Sequence, residues 1–120
     1  LGINMKVSGV FPTECKIDAY DLCTIFSNIL NNAIEAASES EEKIIYLNCR
    51  YNDSNIIINI RNTYKNKGQF QDNYFVTTKS NREYHGFGLE NVKECIERNN
   101  GIIYIEIDKE EFIETISINR

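Results

Sequence analysis

The sequence predicts an α+β domain, a two-layer sandwich with helices on one face of a mixed, largely antiparallel sheet. Three observations carry that expectation. Residues 19–39 place their apolar side chains at helical spacing. Two pairs of apolar, β-branched runs, within 43–60 and 102–118, are each joined by turn-forming residues. A second helical pattern follows a pair of glycines, Gly86 and Gly88. At 120 residues the chain is one domain, 1–120, with material for a single core.

The elements follow in order. Met5 to Phe11 reads as a short, partly alternating strand, and Thr13 to Asp18 as a turn leading into a helix. From Ala19 to Glu39, apolar residues fall at 22, 25, 26, 29, 30, 33, 34 and 37, the stripe of an amphipathic helix. Asp18 or Asp21 is suited to cap its start, and the polar stretch Ser38 to Glu42 ends it. Lys43 to Tyr51 alternates Ile45, Leu47 and Cys49 with polar residues. Asn52-Asp53-Ser54-Asn55 is turn chemistry, and Ile56 to Ile60 is a nearly continuous β-branched run. These make a hairpin whose second strand is expected to be central and covered on both faces. Asn62 to Tyr84 breaks every pattern and is expected to be a mobile flap, because unstructured loops of that length are usually functional or disordered. Leu89 to Arg98 repeats helical spacing through Leu89, Val92, Cys95 and Ile96, and Asn99-Asn100-Gly101 stops it. Ile102 to Ile107 and Phe112 to Ile118 flank Asp108-Lys109-Glu110-Glu111 as a second hairpin.

Composition narrows the function. Thirteen Lys and Arg against eighteen Asp and Glu give a net charge of −5, which argues against nucleic acid or an anionic membrane as the main partner. No apolar run approaches the ~20 residues needed to span a bilayer, and no secretory signal opens the chain. The chain opens at Leu1 and reads as an excised fragment. Cys15, Cys23, Cys49 and Cys95 contain no C-x-x-C pair, and His85 is the only histidine, so no zinc site is expected. The four cysteines read as half-buried thiols in a reducing cytoplasm. Asn and Ile are unusually frequent; Ile-rich strands account for part of this, and the rest needs no physical cause beyond the codon bias of an AT-rich genome.

Chemistry concentrates in two places. Asn28, Asn32 and Glu35, at i, i+4 and i+7 of the first helix, fall within roughly 60° of one another and run beside the apolar stripe. Asn costs a helix a few tenths of a kcal/mol relative to Ala, so two aligned mid-helix amides weaken it with no local return. Two readings stand open: a solvated face, or amide oxygens that meet a hard cation such as Mg²⁺, which takes oxygen ligands and shares phosphates. The second place is His85-Gly86-Phe87-Gly88-Leu89 at a loop-to-helix junction. Glycines there let backbone N–H groups approach a ligand, and a helix N-terminus favours phosphate oxygens. Thr77, Thr78, Lys79 and Arg82 add hydroxyls and cations before it. The spacing excludes a P-loop and a dinucleotide fingerprint, where Asn91 stands in place of a third glycine. A lone His85 supports no nucleophile–base pair.

Taken together, these residues resemble the ATP-binding catalytic domain of sensor histidine kinases, in the GHKL superfamily with the Bergerat fold. Three blocks match in order and cover essentially the whole chain. Asp21-Leu22 through Asn28-Ile29-Leu30-Asn31-Asn32-Ala33-Ile34-Glu35-Ala36 is similar to the N box. Phe75-Val76-Thr77-Thr78-Lys79 is similar to the F-box part of a flexible ATP lid. His85-Gly86-Phe87-Gly88-Leu89 with Asn91-Val92 is similar to the G2 box. The detailed wording is most similar to peptide-pheromone, quorum-sensing receptor kinases of the accessory-gene-regulator type. The resemblance implies that Asn28 and Asn32 hold Mg²⁺ and the phosphates of ATP, that Gly86 and Gly88 wrap the triphosphate, and that Lys79 lies near it. It also counts Glu35, Asn62, His85 and Leu89 among the nucleotide-binding positions, and implies a lid that is not ordered without ligand.

The departures from the family pattern carry expectations too. Where the G1 box should read Asp-x-Gly-x-Gly, this chain has Arg61-Asn62-Thr63-Tyr64, with Asn62 in place of the adenine-reading Asp. A neutral amide in place of a carboxylate is expected to weaken nucleotide binding by ~1 kcal/mol. Glu35 stands where many histidine kinases have Lys or Arg, and a Gly-Thr pair before the last strand is missing. Hydrolysing relatives carry Glu at the position of Asn28, and an amide cannot act as a general base. The resemblance therefore implies phosphoryl transfer to a histidine on an upstream, dimeric helical domain, with a response regulator as indirect partner, on the cytoplasmic side of a bacterial membrane receptor. The alternative is a degenerate docking or dimerisation module of the same fold. An anti-sigma-type serine kinase ranks last, because such kinases usually carry Glu at the position of Asn28.

Overall fold

The computed structural model describes residues 2–65, 74–77, 90–108 and 110–120. The elements run β1 (Asn4–Gly9), α1 (Ala19–Ser38), β2 (Ile44–Tyr51), β3 (Asn55–Thr63), β4 (Tyr74–Thr77), α2 (Glu90–Arg98), β5 (Ile102–Ile107) and β6 (Glu111–Asn119). They form one six-stranded sheet in the order β1-β2-β3-β6-β5-β4. Only β1 and β2 pair in parallel, across the α1 crossover, and the other neighbours are antiparallel. This is the expected mixed, largely antiparallel sheet with both helices on one face.

Local chemistry explains the boundaries. Asp18 is the cap of α1, its Oδ1 accepting from the Tyr20 N–H at 2.8 Å. Asp21, the other candidate, has a different task described below. The β2–β3 turn closes on Asn52, whose Oδ1 accepts from the Ser54 and Asn55 N–H groups. The β5–β6 turn repeats this with Asp108 Oδ1 and the N–H groups of Glu110 and Glu111. At the end of α2 the left-handed residue is Asn100, at φ 52°, and not Gly101. Gly101 is required for closeness instead. A Cβ there would lie 2.6 Å from the Ser117 carbonyl oxygen and 2.7 Å from an Ile118 methyl.

The core is built from Ile25, Ile29, Ala33 and Ala37 of α1, Val92, Cys95 and Ile96 of α2, and the inward isoleucines of β2, β3, β5 and β6. α1 packs on β2 and β3, and α2 packs on β5. Two expectations are corrected here. β3 is central but not covered on both faces. Ile56, Ile58 and Ile60 are fully buried, whereas Ile57, Asn59 and Arg61 lie half-exposed on the face away from the helices. A two-layer sandwich has helices for only one face, so the continuous isoleucine run overstates burial. The flap does not begin at Asn62 either, since Asn62 and Thr63 belong to β3, opposite Phe112 and Glu111. Within the expected flap, Tyr74–Thr77 forms a sixth strand on β5.

The outer face of the sheet carries a polar lattice. Asn48 donates to Ser8, Asn55 to Ser117 and Asn59 to Thr115 across neighbouring strands, and the Arg61 guanidinium stacks over the Tyr46 ring. Part of the asparagine excess thus has a structural use. Of the cysteines, Cys95 is buried, Cys15 and Cys49 are half-buried, and Cys23 is exposed, because it occupies the solvent side of α1. No helix among the described residues is long and apolar enough to cross a membrane.

Candidate functional site

The position of α1 decides what its polar stripe meets. Ile25, Ile29, Ala33 and Ala37 point into the core. On one side of that line Phe26 packs against Phe11 of the N-terminal segment, ring centroids 6.4 Å apart. On the other side Asp21 meets α2: it pairs with Arg98, whose Nη2 also donates to the Cys95 thiol at 3.5 Å. Asn28 and Asn32 continue this second side, about two and three turns beyond Asp21. Both are half-buried, beside the core and on the α2 flank, whereas Glu35, farther round, is exposed.

Asn28 is oriented by the helix itself. Its Nδ2 donates to the Thr24 carbonyl at 2.7 Å, one turn below a Thr24 hydroxyl that donates to Tyr20 in the same way. With the nitrogen engaged, the amide presents its oxygen, an acceptor suited to a hard cation. Among the described residues no group of three His, Cys, Asp or Glu side chains could hold a metal by itself. The donor set is neutral amide oxygen, which fits a Mg²⁺ that arrives with phosphates and keeps its waters.

The α1–α2 flank is closed at one end by an ion pair between the buried Asp21 and the solvent-exposed Arg98. Asp21 Oδ1 accepts from Arg98 Nη2 at 2.6 Å, and Oδ2 accepts from Arg98 Nε and Asn99 Nδ2, each at 3.1 Å. The Arg98 guanidinium holds the Asp21 carboxyl down to about 2. Asn99 also donates to the Cys95 carbonyl, which ties the end of α2 to the same cluster. At the opposite end of α1, the Ser40 hydroxyl meets Thr63 Oγ1 at 2.8 Å, and Thr63 accepts from the Ile44 N–H. The helix is therefore pinned at both ends, with Asn28 and Asn32 between.

The floor of this region is the inward face of the sheet. Asn62 continues the buried positions of β3 and is 1% exposed, its Nδ2 donating to the Thr63 carbonyl at 3.0 Å. Glu114 of β6, also 1% exposed, lies opposite Ile60 and so diagonal to Asn62 on the same face. Its Oε2 is the one buried side-chain polar atom among the described residues that has no hydrogen-bond partner. Burial pushes its carboxyl up to about 8. Sequence reasoning missed Glu114 and the Asp21–Arg98 pair. Glu114 was detectable, since it shares the parity of Phe112, Ile116 and Ile118, the apolar face of an alternating strand. The pairing with Arg98, 77 residues away, left no such trace. Lys79, His85, Gly86, Gly88 and Leu89, together with most of the expected lid, lie outside the described residues.

A family model described as the GHKL domain matches residues 17–119. The chain belongs to the GHKL family. Solved structures with this GHKL fold include the catalytic domain of histidine kinase ThkA, in a nucleotide-free form. It aligns with a TM-score of 0.71 at 17% identity, covering 98% of this chain and 78% of that one. A second form of the same domain gives 0.68 at 18% identity, covering 98% and 80%. The Acinetobacter baumannii histidine kinase AdeS gives 0.67 at 17% identity, covering 98% of this chain and 54% of AdeS. This chain thus spans about half the length of the AdeS chain it matches. A search of curated proteins finds no significant match.

Proposed function

We propose that this GHKL domain binds Mg²⁺-ATP and donates the γ-phosphate to a histidine on a separate helical dimerisation domain, as the catalytic domain of a sensor histidine kinase. The observation that carries the reading is the pair Asn28 and Asn32, one turn apart and half-buried on the side of α1 that faces α2. Their amide oxygens are the proposed Mg²⁺ ligands. The bound Mg²⁺ supplies charge neutralisation for the phosphates. Gly86 and Gly88 are proposed to wrap the triphosphate with their N–H groups, with Lys79 and His85 close to it and Leu89 beside it. Asn62 is proposed to face the base and Glu35 to lie at the outer edge of the site.

The absence of a carboxylate at position 28 supports transfer over hydrolysis. An amide does not take a proton from water, so nothing at that position activates a competing nucleophile. In transfer, the bond from the γ-phosphorus to the bridging oxygen breaks, a bond to the acceptor imidazole nitrogen forms, and ADP leaves. This domain contributes positioning and neutralisation. The wording of the N and G2 boxes supports a peptide-pheromone receptor kinase, with a response regulator downstream and the domain on the cytoplasmic side of a bacterial membrane. Titration of the domain with Mg²⁺-ATP tests the reading. Saturable binding is expected, and none up to millimolar concentration refutes it.

One observation favours a second reading. Arg61-Asn62-Thr63 is strand, fully paired with β6, where the family's G1 box has glycines and a carboxylate. That erosion fits a docking or dimerisation module that no longer transfers phosphate. Phosphotransfer measured in a protein that includes the upstream helical domain separates the two, because nucleotide binding without transfer supports the module.

A further inference from the structure

Glu114 has no role in the reading above. It is a charged residue type on an otherwise aliphatic sheet face, flanked by Ile60 on β3 and Ile105 on β5. Four polar or charged residues are buried among the described ones: Asp21, Ser40, Asn62 and Glu114. Asp21 and Ser40 are satisfied by Arg98, Asn99, Ala37 and Thr63. Asn62 has a backbone partner. Glu114 alone keeps an orphaned oxygen, and an unpaired buried polar atom costs about 1–3 kcal/mol. A leucine at that position would carry no such cost.

Its location gives the orphaned atom a use. α1 covers β2 and β3, α2 covers β5, and β6 runs beneath the line between the two helices. Asn28 and Asn32 border that line from the α1 side, and Asn62 sits one diagonal step from Glu114 on the floor. Resting on the nucleotide reading, we propose that Glu114 is a base-recognition residue, its carboxyl pairing with the amino-bearing edge of adenine. A carboxylic acid offers one acceptor and one donor side by side. Adenine offers the complement, an exocyclic amino donor next to the N1 acceptor. Desolvation keeps the Glu114 proton in place at neutral pH, so the donor half is present when the base arrives. Glu114 thereby complements Asn62, the neutral amide that stands where a carboxylate would otherwise meet the base.

The test is equilibrium binding of two Mg²⁺-nucleotides, ATP and purine riboside triphosphate, which lacks the 6-amino group. The parent domain, Glu114→Gln and Glu114→Leu are compared. The parent is expected to prefer ATP by tenfold or more. Glu114→Gln, which keeps a donor and an acceptor, should retain that preference within threefold. Glu114→Leu, which removes the orphan and should fold at least as stably as the parent, is expected to lose it, because ATP forfeits both contacts whereas purine riboside triphosphate forfeits only the one to N1, so ATP binding weakens by the larger factor. An undiminished preference in Glu114→Leu overturns the role of Glu114 while leaving nucleotide binding intact. Equal losses for both nucleotides overturn it as well. A parent domain that binds neither removes the nucleotide reading itself, and this inference with it.

Discussion

Asp21, in the first turn of α1, and Arg98, in the last turn of α2, form a two-point ion pair with contacts of 2.6 and 3.1 Å. A fork-shaped guanidinium against a carboxylate fixes orientation as well as distance, so the pair sets how the two helices meet. Asp21→Asn removes the counter-charge of Arg98, whereas Arg98→Lys keeps the charge and removes the two-point fork. Asp21→Asn and Arg98→Lys are each expected to lower the melting temperature by about 5 °C, read by circular dichroism. The pH dependence follows from the direction of the shift. The folded carboxyl is held at about 2 against an ordinary 3.8, so its stabilisation is full above pH ~4 and is lost as pH falls through 2. Acid titration of Asp21→Asn should lack that part of the parent's transition.

Glu114 titrates in the opposite sense. Its folded carboxyl is raised to about 8 from an ordinary 4.5, so the folded chain holds a proton that the unfolded chain releases. Its contribution is most favourable below pH 4.5 and declines as pH rises through 8. Glu114→Gln removes this slope. In urea unfolding, the advantage of the variant over the parent should widen by ~3 kcal/mol between pH 5 and pH 8.

The proposed Mg²⁺ ligands are uncharged, which predicts an order of binding. Mg²⁺ alone should give no calorimetric signal, whereas Mg²⁺ should strengthen binding of a non-hydrolysable ATP analogue by tenfold or more. Asn28→Ala should abolish the Mg²⁺ dependence with little change in helicity, because among the described residues Asn28 donates to its own helix backbone. Asn32→Ala should act in the same direction.

Gly101 is a packing glycine. A Cβ at this position would lie 2.6 Å from the Ser117 carbonyl oxygen of β6 and 3.0 Å from an Ile96 methyl of α2, so backbone would have to shift. Gly101→Ala should cost ~2 kcal/mol in chemical denaturation. Asp18→Ala, which removes a single cap hydrogen bond, should cost ~1 kcal/mol.

Both hairpins, the two helices and the single sheet were legible in the sequence, because each rests on local periodicity or on a turn side chain such as Asn52 or Asp108. The extent of β3 was not. Asn62 and Thr63 are polar and look like loop, yet pairing with Phe112 and Glu111 holds them in the strand. β4 escaped for the same reason, since four residues inside a polar stretch become a strand only when β5 offers an edge. The candidate site divides in the same way. Asn28 and Asn32 could be read as an aligned pair from their spacing, whereas Asn62 stood out only through the resemblance to a G1 box.

The sequence by itself determined both hairpins, both helices, the α+β class and the helix face that carries the amides, because spacing along one segment encodes them. Only the tertiary structure decided which flank of α1 meets α2, that Arg98 reaches Asp21, and that one carboxyl of β6 lies buried without a partner. Those relations join residues far apart in the chain. They arise from how two helices settle on one sheet face, and no pattern within a single segment records them.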